Sequence, residues 1–346
     1  MSDDRAEMIE MIRESAAAVS TPTDLARVRS LRFGLPGFAP AVLEEMGGLG
    51  WIGLRIPDVL GGVGLGMAEA IALHEELGRG LVPEPLIVAS LSAALLAACG
   101  AAEAERAIAG TALYLTAWQS EAGSLSLGPG EATERLFLPM AAGAEAFLVP
   151  VPDGDSLQLH LLRVKDAQLR TQTTQDGGNF GTITISAATP LGLIDQFQLT
   201  SLLDEAALLS AAQLLGMSEQ VFALTLAYLK EREQFGHPLA SFQALQHRCA
   251  DIKIQLALTR ASIEGAANEI DAGAQDRRRQ FVVSRAKCRA AATAQLLARE
   301  TVQLHGAIGY TDEYDAGLFV RKILSTVNQF GSIGAHRDRF MQTLGA

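Results

Sequence analysis

Apolar residues recur at i, i+3 and i+4 through most of the chain, and runs that keep this spacing predict helices. Before residue 110 these runs are "TDLARVRSL", "PAVLEEMGGLGW", "MAEAIALHEELGRGLV" and "PEPLIVASLSAALLAACG". The last opens on Pro and stops at Gly100, as helices often do. "RIPDVLGGVGLGM" interrupts them with Gly61, Gly62, Gly64 and Gly66. A Gly-rich stretch can cradle a phosphate, but this one follows no clear strand and lacks the dinucleotide fingerprint. A tight loop between helices is the simpler expectation. Near Thr111 the period shortens. "TALYLTAW", "ERLFLPM", "AFLVPVP", "SLQLHLLRV" and "GTITISA" are short, alternating or β-rich, with "PGE", "PDGD" and "QDGGN" as turn signals. They predict a small antiparallel β-domain. From about Leu202 the helical period returns in a run ending at Glu233, long enough to span nearly 50 Å. "FQALQHRCADIKIQLALTRASIEGAANEID", "QFVVSRAKCRAAATAQLLARETVQLHG" and a segment after "GYTDEYDAGLFVRK" follow it. Four antiparallel helices with short connections predict a bundle. The expected fold class is therefore α+β multidomain: an N-terminal α-helical domain (1–110), a middle antiparallel β-domain (111–192) and a C-terminal four-helix bundle (193–346).

Composition narrows the partners. The chain has 346 residues, 49% hydrophobic and only 5% aromatic, so the core is built mainly of Ala, Leu, Ile and Val, which favours helices. The net charge of −11 argues against nucleic acid or an anionic membrane as partner, but leaves room for a small anion held by local arginines. Cys99, Cys249 and Cys288 are scattered and odd in number, which fits neither a disulfide framework nor a zinc site. No metal is expected, and a reducing, cytoplasmic setting is the simplest reading. "MSDDRAEMIEMIRESAAAV" is charged and amphipathic rather than a signal peptide. The apolar stretches are broken before the roughly 20 residues a membrane span needs.

"YLKEREQFGHPLASFQALQHRCADI" carries candidate chemistry. One helix stops at Gly236-His237-Pro238 and another begins, with Arg232, Phe235, Gln243 and His247 around the corner. Structural readings exist. Arg232 can be a helix-end cation facing the last carbonyls, His247 a polar residue on a helix face, His305 a packed loop residue, and Tyr310 and Tyr314 core. The functional reading needs an anionic, aromatic ligand.

This segment, with "GWIGLRIPDVLGGVGLGMAEAIALHEELGRGL" before it and "QLHGAIGYTDEYDAGLFVRK" after it, resembles three signatures of the acyl-CoA dehydrogenase family of flavoproteins, in the family's order. The resemblance covers most of the chain and is weakest in the β-domain. It implies an acyl-CoA dehydrogenase-like fold, FAD as cofactor, an acyl-CoA substrate, a role in lipid metabolism, and a homodimer, homotetramer or heterotetramer with flavin sites between subunits. Arg232 would reach the flavin pyrophosphate of a neighbouring subunit, since a guanidinium offers a planar donor fork to phosphate oxygens. Phe235 would lie against a flavin or adenine ring, with Gln234 beside it, and Gln243 would take an adenine or ribose edge. Gln303 and the backbone at Gly306 and Ala307 would close on the pyrophosphate, and Ser332 would touch the cofactor.

In the family reaction a carboxylate takes the α-proton while a hydride leaves the β-carbon for the flavin. The usual base is a Glu before Gly-Ser or Gly-Thr. Here Phe330 precedes Gly331-Ser332, and Gly334 lacks a side chain that often helps. Some relatives carry the base early in the first long bundle helix. Counted without gaps that position is Ala206; Glu205 is adjacent and Asp204 next to it, both otherwise explained as first-turn acids favoured by the helix dipole. Glu205 is the candidate base. In the β-domain Thr116 and Trp118 are candidate remnants of the family's flavin-flanking stretch, while Gly-Ser-Asp and a later Trp are missing. Several readings stay open. The chain either oxidises a thioester itself, or is a non-catalytic subunit that completes the flavin site of a second acyl-CoA dehydrogenase-like chain, as in heteromers acting on steroid side-chain thioesters. A different reaction on the fold, of nitroalkane or dehydratase type, and a non-enzymatic binding protein remain as further alternatives.

Overall fold

The protein is described from a computed structural model covering residues 3–21, 25–125, 127, 133–185 and 188–344. The "PGE" turn, the first two residues of "TDLARVRSL" and the last two of "GTITISA" lie outside these residues. Six helices come first: α1 (Asp3–Ser20), α2 (Ala26–Leu31), α3 (Pro40–Gly48), α4 (Met67–Arg79), α5 (Leu86–Ala98) and α6 (Ala104–Ile108). Seven strands follow: β1 (Tyr114–Thr116), β2 (Glu134–Pro139), β3 (Ala146–Asp153), β4 (Ser156–Arg163), β5 (Gln168–Thr173), β6 (Asn179–Thr184) and β7 (Thr189–Asp195). Then come α7 (Gln196–Glu231), a two-stranded ribbon of β8 (Glu233–Gln234) and β9 (His237–Pro238), α8 (Gln243–Asp271), α9 (Asp276–His305), α10 (Asp315–Thr326) and α11 (Ile333–Leu344). The chain divides into two compact units, each discontinuous in sequence.

The sheet unit comprises Arg27–Gly66 and Pro83–Ala206. Its first sheet has the order β1-β3-β4-β7 and its second β2-β6-β5. β3 and β4 form a hairpin with Asp153 opposite Ser156, turning at Gly154, whose φ is +62°. β1 pairs with β3 in parallel, Tyr114 opposite Ala146, which corrects the expectation of an antiparallel domain. The long connection through β2, which joins the other sheet, supplies the crossover a parallel pair needs. β5 and β7 carried no readable signal: β5 is polar on both faces and mostly exposed. β7 contains Pro190, which is tolerated because β7 lies at a sheet edge. The Gly-rich loop is a tight turn. Gly62, Val63, Gly64 and Leu65 donate their N–H groups to Pro57, Gly53, Ile56 and Leu54, so the loop satisfies itself and offers no anion cradle there.

The helical unit comprises Met1–Ala26, Met67–Val82 and Ala207–Ala346. α4 crosses α7 at reciprocal glycines. A Cβ at Gly78 would stand 2.3 Å from the Gln213 carbonyl oxygen, and one at Gly216 would stand 1.9 Å from that of Glu75. Beside the crossing, buried His74 Nδ1 lies 3.3 Å from Gln213 Nε2. Glu75, 4% exposed, is shared by three arginines: Arg13 at 3.2 Å, Arg79 at 2.9 Å and Arg260 at 3.0 Å. Arg79 and Arg260 also reach Glu219. On α9 the buried Ala286, Ala290, Ala294 and Ala298 let neighbouring helices approach closely. α11 extends the predicted four helices and stacks Phe340 on Phe281 of α9, centroids 4.7 Å apart; its polar sequence hid it. α7 is long and apolar enough to span a membrane by length and composition alone, contrary to the sequence reading, yet 72% of its most apolar stretch is buried inside the protein.

These buried groups set an acid limit. Burial holds His74 and His336 neutral, at about 3 against an ordinary 6.5. For Glu75, burial pushes upward, but the Arg260 hydrogen bonds and the Arg13 and Arg260 charges prevail and hold it at about 2 against 4.5. In each case the unfolded chain takes up a proton that the folded chain refuses. Stability is therefore full above about pH 6.5, declines first through the histidines, and then through Glu75 below about pH 4.5. Glu75 accounts for roughly 3 kcal/mol of the loss. Melting temperatures measured down to about pH 3 should show this decline, and Glu75→Gln should flatten its lower part; a parallel curve for the variant would remove Glu75 from the explanation.

Candidate functional site

α7 ends where Gly236-His237-Pro238 breaks its period, and the corner folds as a hairpin. Gln234 pairs with His237, and the two-residue loop between them has φ +56° at Phe235 and +79° at Gly236. Two consecutive positive φ values define the turn that matches strand twist. Glycine takes this conformation readily, but Phe235 pays for it in strain. The Leu239 N–H closes the loop on the Arg232 carbonyl at 2.8 Å. Phe235 stands 90% exposed, supported at its edge by Phe242, 6.2 Å away. Arg232, Gln234 and Gln243 are also exposed, and among the described residues Arg232 has no carboxylate partner. Arg232 thus stands exposed just past the last residue of α7, at the helix end where either reading would place it. His247 is an exposed residue on α8, as the structural reading expected.

The second predicted segment lies beside the first in the same unit. Gln303 is exposed on the last turn of α9, and His305 is that helix's last residue rather than part of a loop. Gly306 has φ 69° and ψ −147°, a conformation essentially restricted to glycine, with open space where a Cβ would project. Ala307 is exposed next to it. His305 stacks on Tyr228, centroids 4.5 Å apart, and Tyr228 stands one helical turn before Arg232. The stack holds the end of α7, one turn before Arg232, against His305, the residue before Gly306 and Ala307. Tyr310, expected in the core, is 54% exposed. Tyr314 is half-buried.

An exposed unpaired guanidinium, an exposed amide and a bare glycine backbone on neighbouring segments suit a phosphate-bearing cofactor. The residues present therefore fit the pyrophosphate end of a flavin dinucleotide.

The remaining candidates differ. Ser332 is half-buried and accepts the Ala335 N–H at 3.2 Å, the geometry of a helix cap. Phe330 is buried with φ +56°, and its carbonyl oxygen lies 2.8 Å from His336 Nε2. Glu205 belongs to the sheet unit, where Arg55 grips both its carboxylate oxygens at 2.9 and 3.2 Å. Arg55 is itself anchored on the Leu65 carbonyl at 3.0 Å. Sequence reasoning missed Arg55, and no local spacing links it to Glu205. Thr116 and Trp118 are buried, and the Thr116 hydroxyl pairs with that of Ser92 at 2.9 Å.

Residues 2–142 match the acyl-CoA dehydrogenase N-terminal domain, and residues 197–344 the acyl-CoA dehydrogenase C-terminal domain. The chain is 28% identical over 342 residues to acyl-CoA dehydrogenase IpdE2 of Mycolicibacterium smegmatis, covering 96% of each chain. Its structure is similar to that of the Tcur3481-Tcur3483 steroid ACAD G363A variant, with TM-score 0.86, 25% identity and 98% of each chain covered. It also shares the fold of the ChsE4-ChsE5 complex from Mycobacterium tuberculosis, with TM-score 0.84, 23% identity and coverage of 99% of this chain and 98% of the other. Signatures, fold and full-length similarity converge: the chain belongs to the acyl-CoA dehydrogenase family.

Proposed function

We propose that this chain is one subunit of an FAD-dependent acyl-CoA dehydrogenase that removes hydrogen from Cα and Cβ of a CoA thioester, with the base supplied by a second acyl-CoA dehydrogenase-like chain. One contrast carries the reading: the Arg232 corner is exposed and unpaired, while the two places for a base hold Phe330 and an Arg55-bound Glu205. A phenyl ring takes no proton, and the Glu205 carboxylate, with both oxygens accepting from Arg55, is committed to an ion pair rather than standing ready for an α-proton. When bound, FAD supplies the hydride acceptor. This chain's own residues bind and orient: Arg232 takes phosphate oxygens, Phe235 covers a ring, Gln234 and Gln243 hydrogen-bond polar edges, and Gln303, Gly306 and Ala307 close the pyrophosphate end. Ser332 acts from the α11 cap. Two structural neighbours support a heteromer, the Tcur3481-Tcur3483 steroid ACAD and the ChsE4-ChsE5 complex, and the first also supports a steroid-like acyl group. On α8, Ile254 and Leu258 stand one turn apart, 55% and 48% exposed, a surface suited to subunit contact.

A second reading keeps Glu205 as the base in a self-sufficient enzyme, favoured by its place next to the gap-free position. The two separate on Glu205→Gln. As a subunit that lends no base, the variant keeps turnover of the assembled enzyme within about threefold, because the amide retains one hydrogen bond to Arg55. A loss of about a thousandfold or more with flavin still bound would make Glu205 the base.

A further inference from the structure

The two segments of the proposed flavin site are far apart in sequence, and one aromatic cluster joins them. The Tyr228 ring lies on the His305 ring at 4.5 Å with an interplanar angle of 29°. Tyr314 closes on both, 5.2 Å from His305 and 6.1 Å from Tyr228. The Tyr228 hydroxyl donates to the His305 carbonyl oxygen at 3.3 Å, and that carbonyl belongs to the peptide leading into Gly306. His305 Nδ1 lies 2.9 Å from the Thr301 carbonyl oxygen, so Nδ1 carries the proton and donates it. Nε2 is buried with no partner among the described residues. The side chain therefore contributes packing and shape at a cost in unsatisfied polarity, and burial keeps it neutral by lowering its pKa. Such a cost is retained where the ring must be held in one place. The beneficiaries are Arg232, one turn beyond Tyr228, and Gly306, bonded to His305.

We propose that Tyr228, His305 and Tyr314 form a positioning clip that fixes the Arg232 corner against the Gln303–Ala307 segment, so that both meet the cofactor phosphates in one geometry. The proposal rests on the flavin reading above, and its test keeps the two apart. Backbone hydrogen exchange on the flavin-free chain reads the clip directly. His305→Ala should raise exchange together at residues 228–236 and 303–310, and His305→Phe, which keeps the stack, should restore both. FAD titration then reads the consequence: affinity about tenfold weaker in His305→Ala, and near wild type in His305→Phe. Loosening confined to 303–310, or unchanged FAD affinity in His305→Ala while Arg232→Ala weakens it, would overturn the clip. If Arg232→Ala also leaves FAD affinity unchanged, the flavin reading fails and with it the clip's cofactor role; the exchange data then decide only whether the two segments are mechanically coupled.

Discussion

Gly216→Leu is expected to remove at least about 4 kcal/mol of stability and to leave the helical unit without a cooperative melting transition. A single methyl group at this position would already stand 1.9 Å from the Glu75 carbonyl oxygen, well inside any tolerated contact. The obstacle is the backbone of α4, which cannot swing aside as a flexible side chain would. Separating the helices enough for a leucine would also pull Gly78 from Gln213 and strain the bonds that Glu75 receives from Arg13, Arg79 and Arg260. Breaking such a network leaves the buried Glu75 carboxylate uncompensated, a penalty that adds to the steric one. Circular dichroism melting of the variant beside wild type checks this. A fall of only a few degrees would show that α4 and α7 can move apart cheaply.

The second large effect is functional. Arg232→Ala should weaken FAD binding by about thirtyfold or more, corresponding to the roughly 2 kcal/mol of a charge-assisted hydrogen bond to phosphate. Stability should hardly change, because Arg232 is exposed and has no carboxylate partner among the described residues. Arg232→Lys should recover only part of the affinity, since an ammonium keeps the charge but loses the planar fork. FAD fluorescence titration of the three proteins at fixed salt measures this. Equal affinities would remove Arg232 from the site.

Much of this was legible in the sequence where local chemistry decides structure. The Gly-His-Pro break placed the corner, and the apolar period placed α4, α5, α8 and α9 to within a few residues, while α7 starts at Gln196, nearly two turns before the run that predicted it. The Gly61–Gly66 run read as a loop because nothing around it had the context of a phosphate cradle. What stayed hidden depends on long-range pairing. β5 and β7 are shaped by their neighbours rather than by alternation, and the parallel partner of β1 is set by a crossover that no window reveals. α11 reads as charged and polar, yet its Phe340 and His336 are packed. The candidate base shows the same limit: the family resemblance pointed to the neighbourhood of Ala206 and so to Glu205, but Arg55, which holds it, is 150 residues away in sequence. Likewise nothing in the sequence pairs Tyr228 with His305, 77 residues apart, whose rings stack in the fold.

The most direct measurement is an anaerobic absorbance titration of the purified chain with FAD, followed by a CoA thioester that the same chain oxidises when co-expressed with a dehydrogenase-like partner. If this chain completes a flavin site without supplying the base, the oxidised-flavin band persists when thioester is added to the chain alone and bleaches promptly in the assembled pair. Prompt bleaching by the chain alone would contradict that division of labour and return the base to a residue of this chain, with Glu205 the first to change.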